Sequence, residues 1–362
     1  MRRSVFAAGA LAFCASTAQA FAPSTSGLTS LLATPALSHK ARARTGPASS
    51  LRMATGTLQR IDVRVQKDAD SLAKDSSKYV EYVNKLFPGA VDEAKYIEAM
   101  SKVVMDEGFN PKTAINLVST CRDEICRPFT EKLDSLWGQS FSIASLGGFV
   151  FCGKTGFGAG MAHSPICPDG KERYVFWIGP HIAVGPEDSY GEVGKIWRPG
   201  REAISSACGA LIALNGQIES GKLDVGLDPS DTEMSLVRQQ VLGKLTYGQV
   251  PNLVGITYAA HDCILDQVKA TAKIAADPKN EYVIISGVQI HGALGKNFWW
   301  PGSVTMIKDN QETDLSAKFE AALGSYDLAS WLKAEVSSRS RTPLCLHSLP
   351  SAWPCTCFIR DD

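Results

Sequence analysis

The sequence has no acidic residue before Asp62, although Asp and Glu together number 37 in its 362 residues. Folded domains normally mix charges of both signs, so a long stretch with basic residues alone is unusual for one. Ser, Thr, Ala and Pro fill the space between the basic residues of this stretch, which are Arg2, Arg3, Lys40, Arg42, Arg44, Arg52 and Arg60. The missing acids therefore predict a targeting leader ahead of the folded part.

Two successive targeting segments can be distinguished in this leader. Residues 1–20 combine Arg2-Arg3, a short apolar run and the small-residue cleavage site Ala18-Gln19-Ala20, which is typical of a secretory signal peptide. Residues 21–53 are rich in Ser and Thr and lack acids, which predicts a plastid transit peptide. The tandem resembles the bipartite presequence of algae whose plastids lie inside extra membranes. Ordinary secretion with a disordered linker is the alternative.

The rest of the chain lacks three further features, and each absence excludes a class of protein. No run of about 20 uninterrupted apolar residues follows the leader, so we expect no membrane insertion of the mature protein. Lys and Arg also number 37, and because the leader is purely basic the remainder is mildly acidic, which argues against a nucleic-acid partner. The ten cysteines have irregular spacings, which favours a metal or catalytic use of a few thiols over a disulfide framework.

Residues 54–336 are predicted to form one layered α/β domain with N-terminal helices, because short apolar runs alternate with amphipathic segments. Residues 337–362 lose this periodicity and are predicted to be a disordered tail. The predicted strands are Phe149–Phe151, Tyr174–Ile178, Tyr282–Ile285 and Val304–Ile307. The predicted helices lie within Val65–Glu107 and at Asp123–Trp137, Ala203–Ile218, Leu236–Leu245 and Val254–Ala275.

A phosphate-binding pattern, G-x-x-x-x-G-K-T, runs from Gly148 to Thr155. Its intervening residues, Phe-Val-Phe-Cys, are typical of a strand, and the glycines after Thr155 do not look like a helix start. Read as a dinucleotide fingerprint, the same glycines lack an acidic residue at the right distance. Nucleotide binding through Lys154 is therefore a remote alternative, and a tight loop is the preferred interpretation.

Two other kinds of chemistry fit the cysteines and histidines. The first is a cysteine nucleophile with one of several histidines as its base, a pairing that is nonspecific in a chain with so many of both; the candidate bases are His163, His181, His261 and His291. The second is a zinc site made by Cys121, His181 and Cys208. Cys121 and His181 follow apolar runs, and ligands bind beyond the carboxyl ends of strands in open α/β sheets. Two thiolates and one imidazole leave a fourth tetrahedral position open, as in a catalytic zinc site.

The sequence around these residues resembles a known family, the low-CO2-inducible B/C proteins of algae. The resemblance runs from about Asp62 to Asp314. It rests on ordered motifs, which are Thr120-Cys121-Arg122-Asp123-Glu124, Trp137-Gly138, Leu146-Gly147-Gly148, Gly179-Pro180-His181-Ile182, Ala207-Cys208-Gly209-Ala210-Leu211 and Gly287-Val288-Gln289-Ile290-His291-Gly292. It implies an α/β/α sheet domain similar to β-class carbonic anhydrases, a Zn2+ ion held by Cys121, His181 and Cys208, and a homodimer or a higher assembly of family members.

The resemblance also implies a reaction, the interconversion of CO2 and bicarbonate with zinc-bound hydroxide as the nucleophile. The β-class motif C-x-D-x-R places an Asp–Arg pair beside the metal, and Asp123 fits it, but Ile125 occupies the arginine position. We therefore predict Arg122 as the partner of Asp123, with Arg127 as the alternative. His163 and His291 are expected to line the pocket or to be plain structural histidines.

The expected setting is the stroma of a complex plastid, near the pyrenoid, in a CO2-concentrating mechanism. The alternative function is that of a non-catalytic, zinc-holding subunit of a CO2-recapture complex.

Overall fold

The computed structural model describes residues 76–185, 193–198, 204–246, 248 and 250–341. The predicted signal peptide and transit peptide, and the part of the predicted tail beyond Arg341, lie outside these residues. Among the helices described, none is both long enough and apolar enough to cross a bilayer.

A mixed, mostly parallel sheet forms the centre of the described structure. Its strands follow the order β1-β9-β8-β4-β2-β3, with β10 beside β9 and β5 beside β8. The parallel pairs are β2 with β3, β2 with β4, β4 with β8 and β5 with β8. Strand β9 runs antiparallel to β8, β1 and β10. The bounds are β1 Val91–Asp92, β2 Ala114–Ser119, β3 Phe141–Ser142, β4 Arg173–Ile178, β5 His181–Val184, β8 Glu281–Gly292, β9 Asn297–Lys308 and β10 Gln311–Asp314. A separate antiparallel pair consists of β6 Lys195–Trp197 and β7 Ile204–Ser206.

Helices lie against both faces of the sheet. They are α1 over residues 76–86, α2 Glu93–Asp106, α3 Arg127–Trp137, α4 Gly153–Met161, α5 Gly209–Glu219, α6 Thr232–Leu242, α7 Leu253–Ala275, α8 Ser316–Leu323 and α9 Leu328–Arg341. Short 3-10 turns occur at Glu124–Cys126, Leu146–Gly148 and Ala293–Gly295. Local signals mark some of the starts: the Asp92 side chain accepts a hydrogen bond from the Lys95 amide at α2, and Asn252 accepts one from Gly255 at α7.

Alternation along the central strands builds two apolar layers. Val175 and Trp177 of β4 pack with residues of α2, α3 and α8, while Tyr174 and Phe176 of the same strand pack with residues of α4, α5, α6 and α7. Successive side chains of a strand point to opposite faces, so both faces of the sheet are buried. The predicted layered α/β/α architecture is confirmed.

Strands β4 and β5 lie end to end along β8, and the break between them positions the site. Residues Arg173–Ile178 pair with the first half of β8, and His181–Val184 pair with its second half. At the break, a Cβ atom on Gly179 would lie 1.9 Å from the carbonyl oxygen of Gly287. Only glycine permits this approach of the two backbones. His181 therefore begins a new strand segment in the middle of the sheet.

Most of the predicted elements are confirmed with shifted ends. Strand β8 extends well beyond Tyr282–Ile285, and β9 beyond Val304–Ile307. The predicted helix Asp123–Trp137 is a 3-10 turn followed by α3. Helix α9 continues to Arg341, past the predicted end of the domain at residue 336.

The strand prediction for Phe149–Phe151 is wrong. These residues form an irregular segment in which the amide of Val150 donates to Gln267 Oε1 at 3.2 Å and the carbonyl of Phe149 accepts from Ser145. Phe149 and Val150 are buried in the core between α4, α5 and α7. Their aromatic and β-branched character reflects this burial, which occurs in strands and loops alike.

The glycine cluster after this segment forms a helix, contrary to the prediction of a tight loop. A helix, α4, begins at Gly153 although no helix start was predicted there. A Cβ atom on Gly160 would lie 2.8 Å from side-chain atoms of both Leu117 and Phe141, so the glycine lets α4 lie close against the sheet. Packing of this kind offsets the low helix propensity of glycine.

The helix prediction for Ala203–Ile218 is correct only from Gly209 onward. Ile204–Ser206 form strand β7, which pairs with β6. Ala207 then links this pair to β5, because its carbonyl accepts from the Ala183 amide at 3.0 Å and its own amide donates to Gly194 at 2.9 Å. Cys208 occupies the position directly before α5, and its side chain makes no capping hydrogen bond. The small residues of this segment therefore let its backbone pack closely against β5 and β6, and they do not extend the helix.

Candidate metal centre

The structure brings Cys121, His181 and Cys208 together in the interior. Cys121 follows β2, His181 opens β5 and Cys208 precedes α5, so three separate elements converge. One ligand atom from each residue lies within 4.8 Å of those from the other two, and all three side chains are buried. The carboxyl ends of the parallel strands β2 and β4 thus meet the start of a helix, the kind of place where α/β proteins bind ligands.

Close backbone packing holds these elements in place. Gly148 has a positive φ of 85°, and a Cβ atom there would lie 2.4 Å from the carbonyl oxygen of Gly179. Ser119 reinforces the contact, because its hydroxyl donates to the Gly148 carbonyl at 2.8 Å and its carbonyl accepts from the Gly179 amide at 3.0 Å. The glycines of the sequence motifs therefore have a physical role, which is to let the loop before α4 lie against the strand break beside His181.

The donor set fits a tetrahedral zinc ion. Zinc–sulfur bonds of about 2.3 Å in a tetrahedron place two sulfur atoms about 3.8 Å apart. The Sγ atoms of Cys121 and Cys208 are 4.0 Å apart. His181 is completely buried, and its Nε2 atom finds no hydrogen-bond partner among the residues that the structure describes. A buried ring nitrogen without a partner is costly unless it serves a ligand.

The two thiols titrate as a pair. The hydrogen bond from Cys208 lowers the pKa of Cys121 to about 4, with a smaller contribution from the neighbouring His181. The negative charge so formed, together with burial, raises the pKa of Cys208 well above its usual value. Without a cation the pair therefore keeps one proton between two sulfurs, and a bound cation is what would allow both thiols to ionise.

Beside this cluster, Asp123 is held by Arg198. Nη1 and Nη2 of Arg198 donate to the two carboxylate oxygens of Asp123 at 2.5 and 2.7 Å, a bidentate pair. Arg198 is itself fixed by the hydroxyl of Ser205 at 2.5 Å and the carbonyl of Ser206 at 2.8 Å. Partial burial raises the pKa of Asp123, but the bond to Arg198 and the nearby His181 outweigh it and lower this pKa to about 2. Asp123 Oδ2 lies 4.0 Å from His181 Nε2.

The predicted arginine partners of Asp123 were wrong. Arg122 pairs with Glu233 of α6 at 2.7 Å, and Arg127 pairs with Glu131 within α3 at 2.9 Å, although both arginines line the cleft beside Asp123. Asp123 faces inward because its carboxylate caps the 3-10 turn that starts at Glu124, so the adjacent side chain of Arg122 faces outward. The true partner, Arg198, lies 75 residues away and gave no local spacing signal in the sequence.

Of the two histidines expected to line the pocket, the structure places only His291 at the cluster. His291 is completely buried, and its Nε2 lies 3.0 Å from Nδ1 of His181 and 3.7 Å from Sγ of Cys126. His163 is exposed at the end of α4, where its ring contacts Phe141. Cys126, His181 and His291 form a second group of potential ligand atoms that shares His181 with the first.

The geometry does not favour nucleophilic catalysis by a cysteine. Cys121 has a lowered pKa beside His181, but it is buried and faces Cys208 in the group of potential metal ligands. The other cysteine–histidine pair in this region is Cys126 and His291, 3.7 Å apart. However, burial raises the pKa of Cys126 well above its usual value, and the neighbouring Cys121 raises it further. A reactive cysteine needs the opposite, a lowered pKa and partial exposure.

Nucleotide binding through Lys154 gains no support from the geometry. Lys154 is exposed on the first turn of α4, and the preceding Phe149 and Val150 are buried in the core. A phosphate-binding loop needs backbone amides that converge on an anion, which bulky core residues between the glycines do not provide.

A cleft of about 400 Å³ lies beside Cys121 and Asp123. Its other lining residues are polar, small or charged, and include Thr120, Ser142, Ala144, Arg122, Glu124 and Arg127. A small molecule can therefore reach the side of the cluster on which Asp123 lies.

Comparison with known proteins agrees with this architecture. The family model described as limiting CO2-inducible proteins B/C beta carbonic anhydrases matches residues 90–308. A crystal structure of the limiting CO2-inducible protein LCIB is 27% identical, with a TM-score of 0.52, and the match covers 64% of this chain and 95% of that one. PtLCIB4, described as a homolog of LCIB, shares the fold at 24% identity and a TM-score of 0.56, over 65% of this chain and 98% of that one. No curated protein gave a significant match. The chain belongs to the family described as limiting CO2-inducible proteins B/C beta carbonic anhydrases.

Proposed function

We propose that this protein is a zinc-dependent carbonic anhydrase that interconverts CO2 and bicarbonate. The observation that carries the proposal is the convergence of Cys121, His181 and Cys208 with a carboxylate, Asp123, that Arg198 holds beside them. Family membership supports the same reaction class.

Zinc is the metal that best suits these side chains. Two thiolates and an imidazole are soft and borderline donors, which zinc prefers in tetrahedral sites. Cys121, His181 and Cys208 would hold it. The ion would supply Lewis acidity, which lowers the pKa of water enough for CO2 hydration near neutral pH.

Asp123 contributes a fixed hydrogen-bond acceptor at the open side of the cluster. An ionised carboxylate only accepts hydrogen bonds, so it orients a hydroxyl or water molecule by its proton and leaves the oxygen lone pair free. Arg198 keeps Asp123 ionised and prevents its rotation, since both oxygens are bonded. The cleft beside Asp123 would admit CO2 and release bicarbonate.

The alternative is a non-catalytic, zinc-holding subunit of a CO2-recapture complex. Structural zinc sites are normally closed by four protein ligands, whereas catalytic sites have three and an open position. Three ligands and an adjacent positioned carboxylate favour catalysis over this alternative.

Location and assembly are further parts of the proposal that rest on the sequence and the family. We propose that the mature protein works in the stroma of a complex plastid, in a CO2-concentrating mechanism, as a homodimer or a higher assembly of family members. A fluorescent protein fused behind residues 1–60 should enter the plastid, and light scattering should give at least twice the monomer mass. Secreted or cytosolic fluorescence would contradict the first expectation, and a monomer the second.

Zinc analysis and CO2-hydration assays on the wild type and Asp123→Asn test the reaction. The wild type should carry about one zinc per chain and hydrate CO2. Asp123→Asn is nearly isosteric and changes none of the three ligands, so zinc should stay bound while hydration falls by roughly a hundredfold. A zinc-loaded wild type without activity would establish the non-catalytic alternative. Loss of zinc from Asp123→Asn would place Asp123 among the ligands.

A further inference from the structure

The two ring nitrogens of His181 have different surroundings. Nδ1 lies 3.0 Å from Nε2 of His291, and the two rings are nearly perpendicular at 79°. Nε2 lies on the side of Asp123 and finds no hydrogen-bond partner among the described residues. At 3.0 Å the two facing nitrogens have the spacing of an N–H···N hydrogen bond, so one of them carries the proton and the other accepts it.

Asn297 decides which of the two carries it. Residues His291 and Asn297 stand opposite each other in the antiparallel pairing of β8 with β9, across the short turn Ala293–Gly295. The Oδ1 atom of Asn297 lies 3.4 Å from Nδ1 of His291, at the long end of hydrogen bonding. A carbonyl oxygen only accepts, so this contact favours the tautomer of His291 with its proton on Nδ1 and Nε2 as the acceptor. His181 must then donate from Nδ1, which leaves a lone pair on its Nε2.

We propose that His291, oriented by Asn297, is a positioning residue that fixes His181 in the tautomer with its lone pair on Nε2, and thereby sets the metal affinity of the Cys121, His181 and Cys208 site. The inference rests on the metal site of the proposed function. Partners that orient a ligating histidine commonly contribute 10- to 100-fold in metal affinity.

The same atoms could be read as a second metal site, since Cys126, His181 and His291 also converge. That site would need His181 to bind two ions at once, which requires the loss of its last ring proton. The hydrogen-bonded chain from Asn297 through His291 to His181 accounts for the contacts without an ion. Cys126 then lies against His291 as a buried thiol, its Sγ 3.7 Å from Nε2.

The test measures zinc affinity by competition with a chromophoric chelator. In His291→Leu the acceptor for His181 is lost, and affinity should fall by about 10- to 100-fold. In His291→Gln the side-chain carbonyl can accept from His181, so the loss should be smaller. Asn297→Asp keeps an acceptor and should bind zinc like the wild type, whereas Asn297→Leu should weaken binding.

His261 offers a matched control. It is buried, and its ring nitrogens contact Ser286 Oγ and Asp262 Oδ1, each at 3.0 Å, neither of which belongs to a proposed metal ligand. His261→Leu should lower thermal stability and leave zinc affinity unchanged, because a merely structural histidine does not orient a ligand. Long-range 1H–15N NMR of the zinc-loaded wild type should find metal on Nε2 of His181 and a proton on Nδ1.

Three results would overturn the inference. One is a His291→Leu protein that binds zinc within twofold of the wild type, and another is metal on Nδ1 of His181. The third is loss of zinc from Cys126→Ser as complete as that from Cys121→Ser, which would make the second group the ligand set. If His291→Leu fails to fold, Asn297→Leu and the NMR assignment decide. A wild type that binds no zinc refutes the proposed function as well, whereas zinc binding that is insensitive to His291 refutes this inference alone.

Discussion

The two ends of the parallel strands both hold a carboxylate and an arginine, yet they differ in how fully their polar groups are satisfied. At the amino ends, Glu281 of β8 is almost completely buried, and its two oxygens accept from Lys171 Nζ at 2.6 Å and Arg173 Nε at 2.9 Å. Lys171 also bonds Asp309, and Arg173 bonds Asp169. Every charge in this network thus has a partner inside the protein, as expected of a network with a structural role.

At the carboxyl ends, the carboxylate of Asp123 and the guanidinium of Arg198 are also bonded to each other, but a ligand nitrogen beside them has no hydrogen-bond partner in the part of the chain that the structure describes. His181 Nε2 has no partner among the described residues, and the Cys121 and Cys208 thiols face each other at 4.0 Å. Buried polar groups are usually paired, and this unpaired nitrogen lies beside two thiols and a carboxylate, a donor set that a cation would complete. The difference between the ends distinguishes a structural ionic network from a binding site.

The largest expected effect comes from removing a metal ligand. Cys208→Ser, like Cys121→Ser and His181→Ala, takes away one of three ligands and should lower zinc content to about a tenth or less, with loss of CO2 hydration. Metal analysis of the purified variants measures this. Glu281→Gln, at the other end of the strands, should keep its full zinc. A Cys208→Ser protein with wild-type zinc would place the metal elsewhere.

Replacing Arg198 should have the next largest effect. In Arg198→Ala, Asp123 loses its bidentate partner, and CO2 hydration should fall by roughly a hundredfold while zinc stays bound. Burial then acts on Asp123 without the compensating arginine, so the pKa of Asp123 rises from about 2. As the pH is lowered, the variant should therefore lose its activity at a higher pH than the wild type does. A pH–activity profile of both proteins measures this.

Arg122→Ala is the matched control for Arg198→Ala. Arg122 is mostly exposed and pairs with Glu233 at the surface, where such pairs contribute less than about 1 kcal/mol. Activity and its pH dependence should stay close to those of the wild type. A drop in activity comparable to that of Arg198→Ala would restore Arg122 as the functional arginine.

The smallest effect on function, but a clear one on stability, is expected for Glu281→Gln. This change leaves Lys171 and Arg173 without their shared buried carboxylate, while Asp309 and Asp169 still pair with them. We expect a loss of about 2–3 kcal/mol in the free energy of unfolding, because charged hydrogen bonds are lost but both cations keep a partner. Urea unfolding measures the loss. A wild-type midpoint would show that the network is dispensable.

Two wrong predictions of secondary structure have the same cause. Phe149 and Val150 were assigned to a strand because they are bulky and apolar, but a buried loop requires the same residues as a buried strand. The glycines after Thr155 argue against a helix start, yet the absence of a side chain at Gly160 is what lets α4 pack against Leu117 and Phe141. Composition reports burial and close packing, and only the neighbouring elements decide which backbone conformation provides them.

The sequence by itself determined the layered α/β class, because apolar strand runs and amphipathic segments are local patterns. It offered Cys121, His181 and Cys208 as one of several possible sites, and the resemblance of the motifs around them to a known family selected this set. Only the tertiary structure decided the partners of the site. Arg198 reaches Asp123 because strands β6 and β7 pair beside β5, and His291 reaches His181 because β8 lies along β5, over separations of 75 and 110 residues. Contacts between such distant residues follow from the packing of whole elements, which no spacing within one motif encodes.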